Sequence, residues 1–303
     1  MGMNKRGMFF TIIAIMIISI FAVSFVLYDK TQNRDSVQKR VSTMNNFILS
    51  VEKDIHRQVY ISGFRALFII DKRVLETGVF IQNVNASLEE LFFNGTINQE
   101  TQEIMSGATF SDIQDSINLN ANKMDVVVSL ANPEITIEQT DPWNVRVVLR
   151  TDLYMADKEG IASWNKTQSI DAFIPIISFE DPLYPLNTNN LITNNITKTP
   201  FTIFVQGSDF TNLTAHALNS FYKESQTAPS FLDRLEGKLS ANPQGIESFV
   251  NLQKLSDQGI PINEKSVVDY IYFSSQNPSS SHIAGMPGWF IIDDAHKSEY
   301  NLP

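Results

Sequence analysis

The chain has 303 residues, of which 43% are hydrophobic and 18% charged, and its formal net charge at pH 7 is −10. This composition supplies enough apolar material for a folded core and excludes a wholly disordered chain. The lack of cysteine excludes a disulfide framework, a thiolate nucleophile and a cysteine-ligated metal centre. The acidic balance argues against general nucleic-acid binding, which needs a basic surface.

An uncharged apolar segment occupies residues 8–28. As a helix it would be about 31 Å long, which matches the hydrocarbon thickness of a bilayer. A cleaved secretory signal has a shorter apolar stretch, of about 7 to 15 residues, and ends in a small-residue site. No such site follows this segment, so the sequence predicts a retained transmembrane helix.

Basic residues flank the span on both sides. They are Lys5 and Arg6 before it, and Lys30, Arg34, Lys39 and Arg40 after it. Taken alone, the positive-inside rule would place the C-terminal part in the cytoplasm. The chain beyond residue 76 is poor in basic residues and rich in asparagine, as many surface proteins are. We expect a cytoplasmic N-terminus and an extracytoplasmic head, with a cytoplasmic head as the alternative.

The junction Lys5-Arg6-Gly7-Met8, followed at once by the apolar span, resembles the class III signal peptide of archaeal type IV pilins. The resemblance implies that residues 1–7 are a leader, which a prepilin peptidase removes by cutting between Gly7 and Met8. It also implies that the apolar helix anchors the precursor and then packs against other pilin-like subunits in a filament. Ile12 stands where bacterial pilins carry a glutamate, which archaeal members often lack.

Beyond the span, apolar residues recur at steps of three and four, which is typical of an amphipathic helix. They are Val37, Val41, Met44, Ile48, Val51 and Ile55. Proline is absent up to residue 132, so we predict a continuous helix from Met8 to near Phe68, including a helical stalk at 29–75. The apolar positions form either a packing seam between subunits or a stalk face covered by the protein's own domain. The apolar run 64–70 is expected inside the head.

The predicted fold class is α+β, with a head at 76–186 in which two helices precede an antiparallel β meander. The helices are expected at 85–93 and 111–123, capped by Asn85 and Ser111. The hydrophobic period then changes to two, which predicts strands at 126–128, 134–138, 145–149 and 169–176. Their close spacing leaves no room for helical crossovers, and this favours antiparallel pairing.

A polar, asparagine-rich connector at 187–200 is predicted to separate the head from a mixed α/β unit at 201–303. Helices are expected there at 211–224, 230–239 and 246–255. Strands are expected at 267–273 and 288–292.

The sequence carries no catalytic or nucleotide-binding motif, and we predict a protein without enzymatic activity, cofactor or metal. Asp293, Asp294 and His296 have the chemistry of metal ligands, but such a group near a polar terminus is typical of a solvated loop. Asp233 and Glu236 lie three residues apart. With Arg234 and Lys238 they are interpreted as a surface charge network and not as an acid/base pair.

Two further features bear on partners. N-glycosylation sequons occur about as often as chance predicts, and are acceptors only if the head is outside the cell: Asn85, Asn94, Asn165, Asn195 and Asn212. Residues 1–75 carry 11 Lys/Arg and 5 Asp/Glu, whereas residues 76–303 carry 12 and 28. Either both surfaces are simply solvated, or basic stalks face anionic lipid headgroups or the acidic heads of neighbouring subunits.

These observations predict a non-catalytic cell-surface protein with a structural or adhesive role, a pilin-like subunit of a type IV pilus-like filament, with minor and tip subunits included. The alternative is a single-pass anchored protein whose extracytoplasmic domain binds a partner without polymerising.

Overall fold

The computed structural model describes residues 5–302, and the side chains of these residues apart from 5–8 and 33. One helix, α1 (Lys5–Thr77), has 73 residues and a length of about 110 Å. It ends where Gly78 adopts a left-handed conformation and its N–H donates to the carbonyl of Val74. The predicted continuous helix is confirmed, and it extends beyond Phe68 to Thr77.

Two shorter helices follow, α2 (Val84–Asn94) and α3 (Phe110–Asn122), separated by the small hairpin of β1 (Thr96–Ile97) and β2 (Glu100–Thr101). The predicted caps were wrong. Asn83 and Thr109 cap the two helices, because each has extended backbone and accepts a hydrogen bond from the helix's first turn. Asn85 and Ser111 lie inside the helices, where neither can cap the N-terminus.

The predicted meander is confirmed as a three-stranded antiparallel sheet of β3 (Val126–Asp141), β4 (Asn144–Asp157) and β5 (Ser163–Pro175), with β4 in the centre. The expected strands 126–128 and 134–138 are one strand. Asn132 adopts φ 49° and the pairing register shifts between Ala131 and Glu134. Because β3 is an edge strand, it tolerates the irregularity and the proline beside it.

The buried face of this sheet packs directly on α1. Gly63 faces β4 and β5, and a Cβ atom on it would lie 2.9 Å from Ile174 Cδ1 and 3.0 Å from Val147 Cγ2. Glycine therefore permits the helix to approach the strands more closely than any other residue would. The first core lies between α1, α2, α3 and the sheet.

The C-terminal part consists of short elements around a second core. They are α4 (Leu183–Asn187), α5 (Thr211–Asn219), β6 (Tyr222–Glu224), α6 (Phe231–Leu235), β7 (Ile246–Ser248), α7 (Leu252–Asp257), α8 (Asp269–Tyr272), β8 (Ser280–His282), β9 (Ile291–Asp293) and α9 (Asp294–Glu299). Strand β6 pairs with β7, and β8 pairs with β9, both antiparallel.

Several predicted bounds in this part were wrong. Helix α5 ends at Asn219 because Ser220 is left-handed, and β6 follows. The segment 246–255 begins as a strand, and α7 starts only after Asn251, whose side chain caps it. The segment 267–273 becomes the short helix α8, because the buried carboxylate of Asp269 accepts the N–H of Tyr270 and fixes a turn there. The strand expected at 288–292 is shorter and lies at Ile291–Asp293.

The polar connector 187–200 is packed against both cores. Ile192 and Ile196 are buried, and Thr188 bonds to the backbone on both sides of its turn. Phe179 lies between Phe64 of α1 and Phe231 of α6, with ring centroids 5.8 and 5.7 Å away. This aromatic contact belongs to the first core, beside the distal end of α1, and Phe80 packs against both cores.

Candidate functional site

The first part of α1 is not covered by any other part of the described structure. Every large apolar side chain described between Phe9 and Tyr28 is exposed, and none of the window with mean hydropathy 2.8 is buried in the protein. Exposing so much contiguous apolar surface to water is unfavourable. This segment is the one candidate membrane span found among the described residues, by length and composition.

The six predicted seam residues divide into two groups. Met44, Val51 and Ile55 are buried and Ile48 is half-buried, all under the protein's own head. Val37 and Val41, one to two turns before Met44, are 45% and 37% exposed. Coverage by the head therefore accounts for the seam from Met44 onward and leaves Val37 and Val41 available.

Arg40 joins the stalk to the head at the boundary between these groups. Its Nε lies 2.9 Å from Asp157 Oδ2 at the end of β4, and its Nη2 donates to the carbonyl oxygens of Met124 (2.8 Å) and Asp125 (3.2 Å). The hydrogen bond to Arg40 is the main cause that lowers the pKa of Asp157. Arg40 thus holds both ends of the chain segment 124–157 to α1.

The charge asymmetry is partly satisfied within one chain. Glu52 of α1 accepts from Lys166 (3.0 Å), and Arg73 pairs with Glu100. Lys30, Arg34 and Lys39 are exposed and form no ion pair with the described residues. We call these three residues the basic collar; they lie just beyond the apolar span, where phosphate headgroups of a membrane would be.

The predicted leader junction lies at the beginning of α1. Gly7 lies within the described helix α1, so its backbone is helical. Residues 1–4 and the side chains of Lys5, Arg6 and Met8 lie outside the described part of the chain.

All five sequon asparagines are exposed. Two of them bond to the protein: Asn85 Oδ1 accepts from the N–H of Ile137 (2.9 Å), and Asn212 Nδ2 donates to the carbonyl of Ile203 (2.9 Å). The other three are Asn94, Asn165 and Asn195. Their side chains form no hydrogen bond with the described residues, which leaves the amide nitrogen accessible.

The interpretation of Arg234 as a surface charge was wrong. Its side chain is fully buried, and Nη1 lies 2.5 Å from Asp181 Oδ2 and 2.9 Å from Asp269 Oδ2. A guanidinium between two carboxylates keeps most of its donors satisfied away from water. The network is a structural element of the second core.

The neighbouring charged residues have other partners. Asp233 forms a capping box with Ser230 at the start of α6. Glu236 accepts from the N–H of Val84 (2.8 Å) and pairs with Lys238. Asp233 and Glu236 therefore interact with different partners and do not form a pair.

The expected solvated loop at 293–296 was also wrong, because Asp293 and His296 are buried. His296 Nδ1 lies 2.7 Å from Asp293 Oδ1, and its Nε2 lies 3.4 Å from Glu247 Oε2. Burial opposes protonation of this imidazole, but the hydrogen bonds and charges of Asp293 and Glu247 outweigh it and raise its pKa to about 10. Asp294 is exposed and pairs with Lys297 instead.

A different trio, Glu247, His296 and Glu299, has ligand atoms within 4.8 Å of one another. Lys223 Nζ already contacts both carboxylates, Glu247 at 3.3 Å and Glu299 at 2.7 Å. A metal ion would have to displace this ammonium and compete with a protonated imidazole. The donor set therefore fits an internal ion network better than a metal centre.

An apolar groove was not predicted from the sequence. It lies where the distal end of α1 meets segment 177–180, and Asp71 lines it. One feature of the sequence could have indicated it. Asp71 directly follows the apolar run 66–70 of a predicted helix, and this places a carboxyl group next to buried side chains.

Comparisons with models of protein families, with curated proteins and with solved structures find no match to this chain.

Proposed function

We propose that this is a non-catalytic cell-surface protein, anchored by a single membrane-spanning helix with its N-terminus in the cytoplasm and its head outside. The observation that carries the proposal is the division of α1 into a bare apolar part up to Tyr28 and a part covered by the head from Met44. A helix of this kind is stable only if another apolar environment covers the first part. The basic collar supports placement of a membrane surface between the two.

Within this class, the leading candidate is a pilin-like subunit. The Lys5-Arg6-Gly7-Met8 junction supports it, as does the order of a long helix followed by an antiparallel meander. Released from the bilayer, the bare part of α1 would pack with the same part of other subunits, and Val37 and Val41 would extend that contact.

The second candidate is an anchored binding domain that does not polymerise. Coverage of Met44, Val51 and Ile55 by the protein's own head favours it, because little of the seam beyond the span remains for subunit contacts. This candidate needs no cleavage of the leader.

Mass spectrometry of the N-terminus, on protein isolated from its own cells, separates the two. We expect a mature terminus at Met8, and loss of this processing in Gly7→Val. Gly2→Val, a matched substitution inside the leader but away from the junction, should still be processed. An intact leader in the unaltered protein would eliminate the pilin-like candidate and leave the anchored domain.

A further inference from the structure

The apolar groove lined by Asp71, which we call the distal groove, is a cavity of about 430 Å³ at the end of α1 farthest from the span. Its walls are mostly apolar: Phe64, Phe68 and Ile177 are 39%, 41% and 40% exposed, respectively. Phe179 forms the base, in edge contact with Phe64. Exposed aromatic side chains around a cavity of this size are typical of ligand sites.

A buried carboxyl lies in this apolar setting. Asp71 is 4% exposed, and its Oδ1 has no hydrogen-bond partner among the described residues. The backbone of Glu180 lowers the pKa of this carboxyl, but by less than burial raises it. An unsatisfied buried polar atom is rare and costly in a folded protein, so its presence needs a reason.

The charges around Asp71 make its ionised form still less favourable. Glu180 and Asp181 both lie near enough to repel a charge on Asp71, and the pKa of Asp71 rises to about 8, mainly because of burial. Asp181 is already paired with Arg234. Lys72, the basic residue at the groove, pairs along the helix with Glu76 (3.4 Å) and so does not neutralise the groove.

The groove therefore combines aromatic surfaces with two carboxyls that no side-chain cation of the described chain compensates. An ammonium group is attracted both to the face of an aromatic ring and to a carboxylate. An anion would be repelled, and a neutral apolar ligand would leave the oxygen of Asp71 unpaired. Ca²⁺ and Mg²⁺ take six or more oxygen ligands, and phenylalanine supplies none.

We propose that the distal groove binds an organic ammonium group, with its apolar body against Phe64, Phe68 and Ile177 and its charged nitrogen at the carboxyls of Asp71 and Glu180. The ammonium has two possible sources with the same chemistry, a free alkylamine or the lysine side chain of another polypeptide. None of the residues that line the groove belongs to the apolar span.

The test is titration calorimetry of the full chain in detergent with n-butylammonium, and with 1-butanol as a neutral molecule of the same shape. We expect saturable binding of the cation and at least tenfold weaker binding of the alcohol. Asp71→Asn, which keeps the shape of the side chain, should weaken butylammonium binding at least tenfold. Asp54→Asn, on the same helix but outside the groove, should leave it unchanged.

Proton release provides a second readout. Bound ammonium would stabilise the charged form of Asp71, so binding near pH 7 should release a proton from it, with Glu180, Asp181 and Lys72 as the other charged groups around it. The binding enthalpy should then differ between HEPES and phosphate buffers, neither of which contains a primary ammonium, and this difference should vanish in Asp71→Asn. No binding at millimolar amine, equal binding of butanol, or unchanged binding in Asp71→Asn would each overturn the proposal.

The source of the ammonium is identified with Nα-acetyl-lysine methylamide in the same titration. Binding at least as tight as that of butylammonium would assign the groove to a lysine side chain. Binding tenfold weaker would assign it to a free amine, because the peptide groups would then be obstructing entry.

Discussion

Arg234 illustrates how much a single side chain can determine in the second core. It joins Asp181, which precedes α4, to Asp269 at the start of α8, and all three side chains are fully buried. Burying such a triad has a high desolvation cost, so its net contribution to stability is small while it is complete. Removing Arg234 would destabilise the protein, because each carboxylate would then be buried without its counter-charge.

We expect Arg234→Met to lower the free energy of unfolding by about 3–5 kcal/mol, since two buried acids lose their partner. Urea denaturation followed by circular dichroism measures it. Arg57→Met is the matched control: Arg57 pairs with Asp54 on an exposed face of α1, and its loss should change stability by less than about 1 kcal/mol. Equal effects of the two substitutions would contradict the role given to Arg234.

His296 predicts a pH dependence of stability. Its pKa is raised to about 10 in the folded protein, compared with about 6.5 in an unfolded chain. The stabilisation by the protonated imidazole is therefore fully present below about pH 6.5 and is lost as the pH rises through 10. The difference in unfolding free energy between the unaltered protein and His296→Gln should shrink steadily over this window.

Urea denaturation at half-unit pH steps from 6 to 10 measures that difference. His56→Gln, on an exposed face of α1, is expected to change stability by less than about 0.5 kcal/mol. A difference between the unaltered protein and His296→Gln that stays constant across the window would mean that the imidazole is not held in its charged form.

At the level of secondary structure, long elements were predictable and short ones were not. The stalk positions from Val37 to Ile55 repeat over five turns, and the strands around Val147 alternate over many residues, so each pattern is repeated often enough to be recognised. In the C-terminal part, elements of three to nine residues contain at most two or three periods. Val267 and Val268 favour a strand, but tertiary contacts of the next residue, Asp269, decide the local structure.

Some of the candidate sites could likewise be predicted from the sequence, and others could not. The apolar span and the sequons are local features and could be read directly from the sequence. Arg234 could not, because Asp181 is 53 residues away and Asp269 is 35 residues away. Asp71 owes its burial to segment 177–180, more than a hundred residues later. Local pattern carries no information about such pairings.

Gly63 tests the packing of α1 against the sheet. Gly63→Val would place a branched side chain where Ile174 and Val147 leave no room, and should lower the free energy of unfolding by about 1–3 kcal/mol. Ser42→Val, at an exposed position of the same helix, controls for the helix propensity of valine. A loss in Gly63→Val no greater than that in Ser42→Val would show that the close approach is not needed.

On the scale of the whole molecule, the first part of α1, up to residue 39, does not contribute to the core of the head. No side chain described between residues 9 and 39 is buried or half-buried, and Arg40 forms an ion pair with Asp157 of the head. The candidate membrane span and the part of α1 that packs in the head are therefore separate segments of one helix. The charge asymmetry follows this division in part: of the eleven basic residues in 1–75, six lie at 5–40 and five lie at 53–73, where α1 packs with the head.

We expect a variant that starts at residue 36 to be soluble without detergent and to unfold at the same urea concentration as the full chain, because it keeps Arg40 and every buried residue of α1. A variant that starts at residue 56 loses Met44, Val51 and Ile55 from the core and should be strongly destabilised or aggregate. Ultracentrifugation and urea denaturation measure both. Insolubility of the first variant would contradict the separation of anchor and head.

The unbroken course of α1 has a mechanical consequence. The same rigid rod lies in the candidate span and in the core of the head, with no hinge between them, so the head turns with its anchor. For a rod of about 110 Å, an inclination of about 20° moves the far end sideways by about 40 Å. The distal groove lies at that end, so if the apolar span crosses a bilayer, a tilt of the span would move the groove sideways by that distance.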